Sequence, residues 1–263
     1  MSAAQIQHIS SRDNSFVKEL KRLSQDNTAY RKLGRFWVEG DHLCRAALTR
    51  GAKPDVAVFS ESFWGTVSAE FAQAASKNIV IPDALFRDIS GLESPSQLGF
   101  VFTLQKITTL APDMASVILD QVQDAGNVGS ILRSASAFGF RQVIAIKGTA
   151  ALWSPKVLRA AMGAHWGLHL VEGVVLPDLT ALAIPIVVTS SHQGSFLHQA
   201  LHDRELPVTC AWALGHEGQG VSAQLQALAS LHVRIAQPGG EESLNVAAAA
   251  AICLHASASA ALL

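Results

Sequence analysis

Three stretches in the second half of the chain share one design, an apolar run, then a polar turn, then a helical pattern. They are ILDQVQDAGNVGSILRSASAFGF (118–140), WALGHEGQGVS (212–222) and RIAQPGGEESLNVAAAAAI (234–252). Such a design is the signature of a parallel strand feeding a helix, and ligands of open α/β sheets gather beyond the carboxyl ends of the strands. The turns are therefore where chemistry is expected. In the first, Asn127 is a candidate N-cap and Gly139 a candidate stop, with Val128, Ile131, Leu132, Ala135 and Phe138 on one helical face. Arg133 lies opposite that stripe. In the second, Gly215, Gly218 and Gly220 leave the backbone open to close approach around Glu217. In the third, Pro238, Gly239 and Gly240 form the turn, and either Ser243 or Asn245 starts the helix.

The rest of the chain alternates in the same way and predicts an α/β protein. Residues 14–24 place Phe16, Val17, Leu20 and Leu23 on one stripe; FWVEG, DVAVFS and NIVIP read as strands, and DHLCRAALTRG, 61–76 and 83–88 as helices. An amino-terminal domain over 1–105, a linker over 106–115 and a second domain over 116–263 follow. In that second domain strands are expected near 116–120, 142–146, 168–172, 185–189, 209–215 and 232–236, and helices over 128–138, 155–162, 222–228 and from 244. This order alone suggests a doubly wound sheet.

Composition narrows the function classes. Of the 263 residues 49% are hydrophobic and 16% charged, a core-forming balance that excludes compositional disorder. No apolar run is long enough to cross a bilayer, and MSAAQIQHISSRDN has no basic head before an apolar stretch, so no secretory signal is expected. Three cysteines, odd in number and scattered, suit reduced thiols and a cytoplasmic protein. The net charge is −1, yet residues 1–50 hold nine basic side chains against five acidic ones, a candidate phosphate-binding head. G-x-G-x-x-G, P-loop and G-x-S-x-G motifs are absent. The pairs His165/His169 and His198/His202 lack accompanying acids or cysteines, so no metal site is expected.

Taken together and in order, the three stretches resemble the signature motifs of the SpoU/TrmH family of RNA methyltransferases, within the SPOUT superfamily. Asn127, Gly129 and Arg133 match the first motif, Gly215, Glu217 and Gly218 the second, and Ser243, Leu244 and Asn245 the third. The segments SRDNSFVKELKRL, YRKLGRFWVEG and SPSQLGF resemble the small substrate-binding domain many members carry. Ala125 stands where proline is usual, His216 at a variable position, and Gln237 where an apolar residue is common.

The resemblance implies a trefoil-knotted carboxy-terminal methyltransferase domain behind a smaller α/β RNA-binding domain. It implies a homodimer that transfers methyl from S-adenosylmethionine to a ribose 2′-hydroxyl, with ribosomal RNA favoured over transfer RNA. Catalytic roles are implied for Asn127, Arg133, Glu217, Ser243 and Asn245. Cofactor contacts are implied for Leu214, Gly215, Glu217, Gly218, Ile235, Pro238, Ser243, Leu244 and Asn245, with Leu244 on the adenine. Arg133 is expected to engage a phosphate or the 2′-hydroxyl; a guanidinium keeps its proton in proteins and is a poor base, and proton transfer assisted by phosphate or by Glu217 is physically easier. The competing reading is a non-catalytic RNA-binding ribosome assembly factor that retains the fold.

Overall fold

The computed structural model describes residues 5–190, 193–239 and 243–261. It divides into two compact units, one running to Gln105 and including Trp153–Trp166, the other comprising Lys106–Leu152 and the chain from Gly167 onward.

The first unit contains β1 (Gln5–His8), α1 (Ser15–Gln25), α2 (Ala29–Leu33), β2 (Arg35–Glu39), α3 (Asp41–Thr49), β3 (Val56–Ser60), α4 (Glu61–Trp64), α5 (Ala69–Ala72), β4 (Lys77–Ile81), α6 (Asp83–Ile89) and β5 (Leu98–Thr103). Its sheet runs β1-β4-β3-β5-β2, with β5 antiparallel to both its neighbours and the other pairs parallel. Helix α1 starts where Asn14 accepts from the Phe16 amide, and buries Val17, Leu20 and Leu23 as its stripe requires. The single helix expected over 61–76 is broken in two, because α4 ends at Gly65 and α5 begins anew after Ser68. Strand β1, polar and exposed, carries no apolar alternation and is not legible in the sequence.

Two amino-terminal motifs meet here. Glu39, buried at the end of β2, accepts from Trp37 Nε1 at 3.3 Å, from the Ser96 amide at 3.3 Å, and from the Ser90 hydroxyl. A Cβ on Gly99 would lie 2.1 Å from the Trp37 ring, so the indole occupies the space a side chain would need. The carboxylate thus anchors the 90–98 segment to β2.

The second stretch of chain forms β6 (Ser116–Asp120), α7 (Ala125–Ala137), β7 (Gln142–Ile146), α8 (Pro155–Ala161), β8 (His169–Val174), β9 (Ile186–Thr189), β10 (Ser195–Phe196), α9 (Leu197–His202), β11 (Ala211–Gly215), α10 (Ala223–Gln226), β12 (Leu231–Arg234) and α11 (Val246–Ala260). Helix α8, expected in the second unit, belongs to the first, where Trp153 lies 4.5 Å from Phe36 and Trp166 lies 5.6 Å from Phe102, ring centre to ring centre. The expected linker also behaves differently: Gln142 clasps both backbone groups of Ala111, at 2.7 and 3.0 Å, and Ile107 bridges to Val171, so this segment packs on the second unit.

The second sheet is wholly parallel, in the order β10-β12-β9-β11-β6-β7-β8. Its central strands β6 and β11 are buried along their whole length, as continuous apolar runs in a two-sided parallel sheet should be. Helix α11 packs on α7 and β11, and Trp212 in β11 is tied to it by an Nε1–H···Oγ bond to Ser257 of 2.8 Å. Strand β11 enters between β9 and β6, both laid down before it. A doubly wound sheet adds strands at its edges, so this order departs from that expectation.

Candidate active site

The three signature turns leave the carboxyl ends of β6, β11 and β12, which the parallel sheet places on one side. After β6 the chain passes through Gln121, a non-glycine residue at φ 60°, and enters α7. The cap of α7 is Asp124, whose carboxylate accepts from the Asn127 amide at 2.7 Å, and not Asn127 itself. The identity of the cap matters chemically. Because Asp124 satisfies the helix start, the Asn127 carboxamide is free to face the other turns. Farther along, Val128, Ile131, Leu132 and Ala135 are buried as the stripe requires, and Gly139 at φ 85° follows the last turn.

The turn after β11 is a closed five-residue loop. His216 and Gly220 exchange backbone hydrogen bonds of 3.0 and 2.8 Å. A Cβ on Gly215 would sit 2.0 Å from the Gly220 carbonyl carbon, so only glycine admits this closure. The far end is pinned by the buried Asp120, which accepts from the Ser222 amide at 2.7 Å. Gly218 differs from Gly215. A Cβ there would meet nothing nearer than the His216 ring at 3.8 Å, so no protein atom demands glycine and the outer face of the loop is open. The Gly218 amide donates to His216 Nδ1 at 3.0 Å.

In the third turn Asn245 caps α11, accepting from the amides of Ala247 and Ala248 at 2.9 and 3.2 Å. Its Nδ2 donates to Asn127 Oδ1 at 2.9 Å, and Asn127 Nδ2 donates to Glu217 Oε1 at 3.1 Å. Glu217 also accepts from the amides of Asp124 at 3.0 Å and Gln123 at 3.2 Å. A single hydrogen-bonded chain, Asn245 to Asn127 to Glu217, therefore joins all three turns. Burial works to raise the Glu217 pKa, but the bonds from Asn127, Asp124 and Gln123 outweigh it and hold the carboxyl below its ordinary value of 4.5. An ionised carboxylate that accepts three hydrogen bonds is a strut between loops and a poor proton acceptor.

Other expected residues are placed apart from this chain. Leu214 is buried in β11, so only its backbone can serve a ligand. Leu244 is 39% exposed, an apolar surface beside the third turn, and Pro238 and Ser243 are exposed, Ser243 making no side-chain hydrogen bond among the described residues. Gly240 lies outside the described residues. Arg133 is exposed and forms no ion pair among the described residues. Six residues along a helix carry it about 9 Å up the axis and about 120° around from Asn127, so it points away from the cluster. Sequence reading missed Asp124 and Asp120; the first is legible in hindsight as an aspartate three residues before a polar helical position.

Four of the nine basic side chains of the head are held in ion pairs. Lys18 pairs with Asp13 at 2.9 Å, Lys21 with Asp88 at 3.0 Å, Arg35 with Glu19 at 2.8 Å, and Arg45 with both Asp41 and Glu70.

Glycine loops joined beyond the strand ends of a parallel α/β sheet stand where such sheets hold their ligands. The comparisons make this specific. Residues 114–255 match the model of the SpoU rRNA Methylase family, and residues 14–99 that of the MRM3-like substrate binding domain. The chain belongs to the SpoU rRNA methylase family. The 23S rRNA (guanosine(2553)-2′-O)-methyltransferase RlmP of Bacillus subtilis (strain 168) is 30% identical over 256 residues, covering 95% of this chain and 98% of its own. A TrmH-family chain from Porphyromonas gingivalis superposes with a TM-score of 0.78 at 30% identity, over 92% of this chain and 96% of that one. The fold is also that of an S-adenosylmethionine-bound rRNA methyltransferase from Sinorhizobium meliloti, with a TM-score of 0.80 over 97% of this chain and 98% of that one at 24% identity.

Proposed function

We propose that this chain is an S-adenosylmethionine-dependent methyltransferase acting on a ribose 2′-hydroxyl of ribosomal RNA. The observation that carries the reading is the Asn245–Asn127–Glu217 chain, which locks the three family turns into one rigid frame. The residues present fit the cofactor: Gly218 leaves the second loop open on its outer face, and Leu244 offers apolar surface beside the third. Gly215, Glu217 and Gly218, with Ile235, Pro238, Ser243, Leu244 and Asn245 and the backbone of Leu214, would hold it. Bound S-adenosylmethionine supplies an already activated methyl group, so the protein's task is alignment, which accounts for up to about 7–11 kcal/mol in well-oriented reactions.

Asn127 and Asn245 fix the frame through their amides, and Glu217 holds the second loop against the start of α7. Arg133 faces away from this frame, and we place it in the site of a second subunit, where its planar fork grips a phosphate of the RNA. Support for a homodimer comes from a groove of about 1190 Å³ along α11, lined by Phe138, Leu201, Ile252 and His255 among others, with Ile252 41% exposed. Support for a trefoil knot comes from β11, which enters the middle of the sheet after its neighbours, and from α11, which returns against α7. Cytoplasmic location accords with three buried free thiols, and burial pushes those of Cys210 and Cys253 up to about 12. No helix among the described residues is long and apolar enough to cross a membrane.

The test is transfer of labelled methyl from S-adenosylmethionine to ribosomal RNA from cells lacking the protein. Label recovered on a 2′-oxygen supports the reading; cofactor binding without transfer would favour an assembly factor that retains the fold.

A further inference from the structure

A second cavity lies wholly within the first unit, remote in sequence from the three signature turns. It encloses about 450 Å³, in the size range of small-ligand pockets. The starts of α3, α4 and α6 converge on it at Asp41, Ser60 and Asp83. Phe86 and Leu98 form a buried apolar floor, with Phe63 as a half-buried wall. Asp83 Oδ1 accepts from the Ser62 hydroxyl at 2.8 Å and its amide at 3.3 Å, while Gln97 Nε2 donates to the Ser62 hydroxyl at 2.9 Å. Hydrogen bonds from the Ser62 and Ser60 hydroxyls hold the Asp83 carboxyl below its ordinary value, so it is an acceptor at neutral pH. Glu39 behind the cavity pins Ser90 and Ser96 and so fixes the wall carrying Gln97.

This lining selects its ligand by chemistry. Asp41, held by Arg45 at 3.0 Å, and Asp83 put carboxylate oxygens on the lining beside a single cation, Arg87, a set that suits the mixed donor and acceptor edge of a base better than a phosphate. An aromatic wall with hydrogen-bonding groups around it is how proteins hold unstacked RNA bases by their edges. With Asp41 Oδ1 taken by Arg45 and Asp83 Oδ1 by Ser62, the second oxygen of each carboxylate is left as an acceptor, which calls for adjacent donors, and Arg87 and Gln97 present donors. Among the bases, guanine alone carries N1–H and N2–H beside an acceptor at O6.

We propose that this cavity is a recognition pocket for one unpaired guanine of the RNA substrate, distinct from the nucleotide that is methylated. It rests on the reading of the chain as an RNA methyltransferase. The carboxylates take N1–H and N2–H, and Arg87 or Gln97 donates to O6.

The test uses the full-length protein and labelled uridine dodecamers carrying one central guanosine, inosine or uridine, titrated by fluorescence anisotropy. Guanosine should bind about tenfold more tightly than uridine, inosine should lose most of that gain because it lacks the N2 amine, and Asp83→Asn and Gln97→Ala should each reduce it. The variants should keep the wild-type melting temperature within a few degrees and full S-adenosylmethionine affinity. Equal binding of the three oligomers, or a guanosine preference that survives both variants, overturns the pocket. Methyl transfer to ribosomal RNA by the same preparation is scored separately, so the proposal can fail while the enzymatic reading stands.

Discussion

Asn245 donates to Asn127 across 2.9 Å although 118 residues separate them, and this one bond joins the start of the last helix to the first turn of α7. Both side chains have a second duty, Asn245 capping α11 and Asn127 donating to Glu217. Asn127→Ala removes the middle of the chain and releases both neighbours. A misplacement on the order of 1 Å costs about a hundredfold in rate, so single-turnover methylation should fall by about that factor while the fold persists. Unchanged rates would reduce the three-loop frame to helix capping.

Gly215 and Gly218 are separated by opposite physical causes. Gly215→Ala forces a Cβ into the Gly220 carbonyl, and overpacking against backbone costs about 1–3 kcal/mol, so its melting temperature should drop. At Gly218 an added Cβ meets nothing nearer than 3.8 Å, so Gly218→Val places its side chain on the open outer face of the loop. It should melt like the wild type yet lose S-adenosylmethionine affinity in a calorimetric titration. Intact affinity in that variant removes the second loop from the cofactor site.

Glu217 predicts a pH signature. Its folded carboxyl is held below the ordinary 4.5, so the unfolded chain binds more protons between the two values. The stabilisation is complete above about 4.5 and disappears as pH falls through the lower, folded value. Glu217→Gln cannot titrate. The difference in stability between wild type and variant, followed by denaturant melts, should be constant from neutrality to about pH 5 and shrink below 4.5. A constant difference across that window contradicts the ionised strut.

Arg133 predicts complementation between subunits. Asn127→Ala and Arg133→Ala homodimers should each be slow. A co-expressed mixed dimer has one site with both changes and one with neither, so it should regain about half the wild-type turnover if Arg133 acts across the interface. A mixed dimer as slow as its parents would mean that both residues act within one chain. Arg133→Lys should keep cofactor affinity but lose most of the rate, since a point charge cannot replace a planar fork.

Much of this was legible from residues alone. The stripe of α7 and the apolar runs of β6 and β11 follow from periodicity, and the three motifs mark the turns that the Asn245–Asn127–Glu217 chain joins. The cap of α7 was misread because Asp124 and Asn127 are equally good cap residues, and only the backbone decides between them. Strands β1 and β10 carry four and two residues, too few for a pattern. The placement of α8 rests on Trp153 meeting Phe36, a contact between distant residues that no local signal encodes. The insertion of β11 between β9 and β6 is likewise a matter of chain path, which strand and helix order leaves open.

The most direct measurement is a map of 2′-O-methylation across ribosomal RNA, from cells with and without this protein and after treatment in vitro with the purified chain and S-adenosylmethionine. One ribose should lose its methylation without the protein, regain it with the wild type, and regain it far more slowly with Asn127→Ala. Identical maps in the two strains, with no 2′-O-methylation formed in vitro by a protein that binds the cofactor, would contradict the methyltransferase reading.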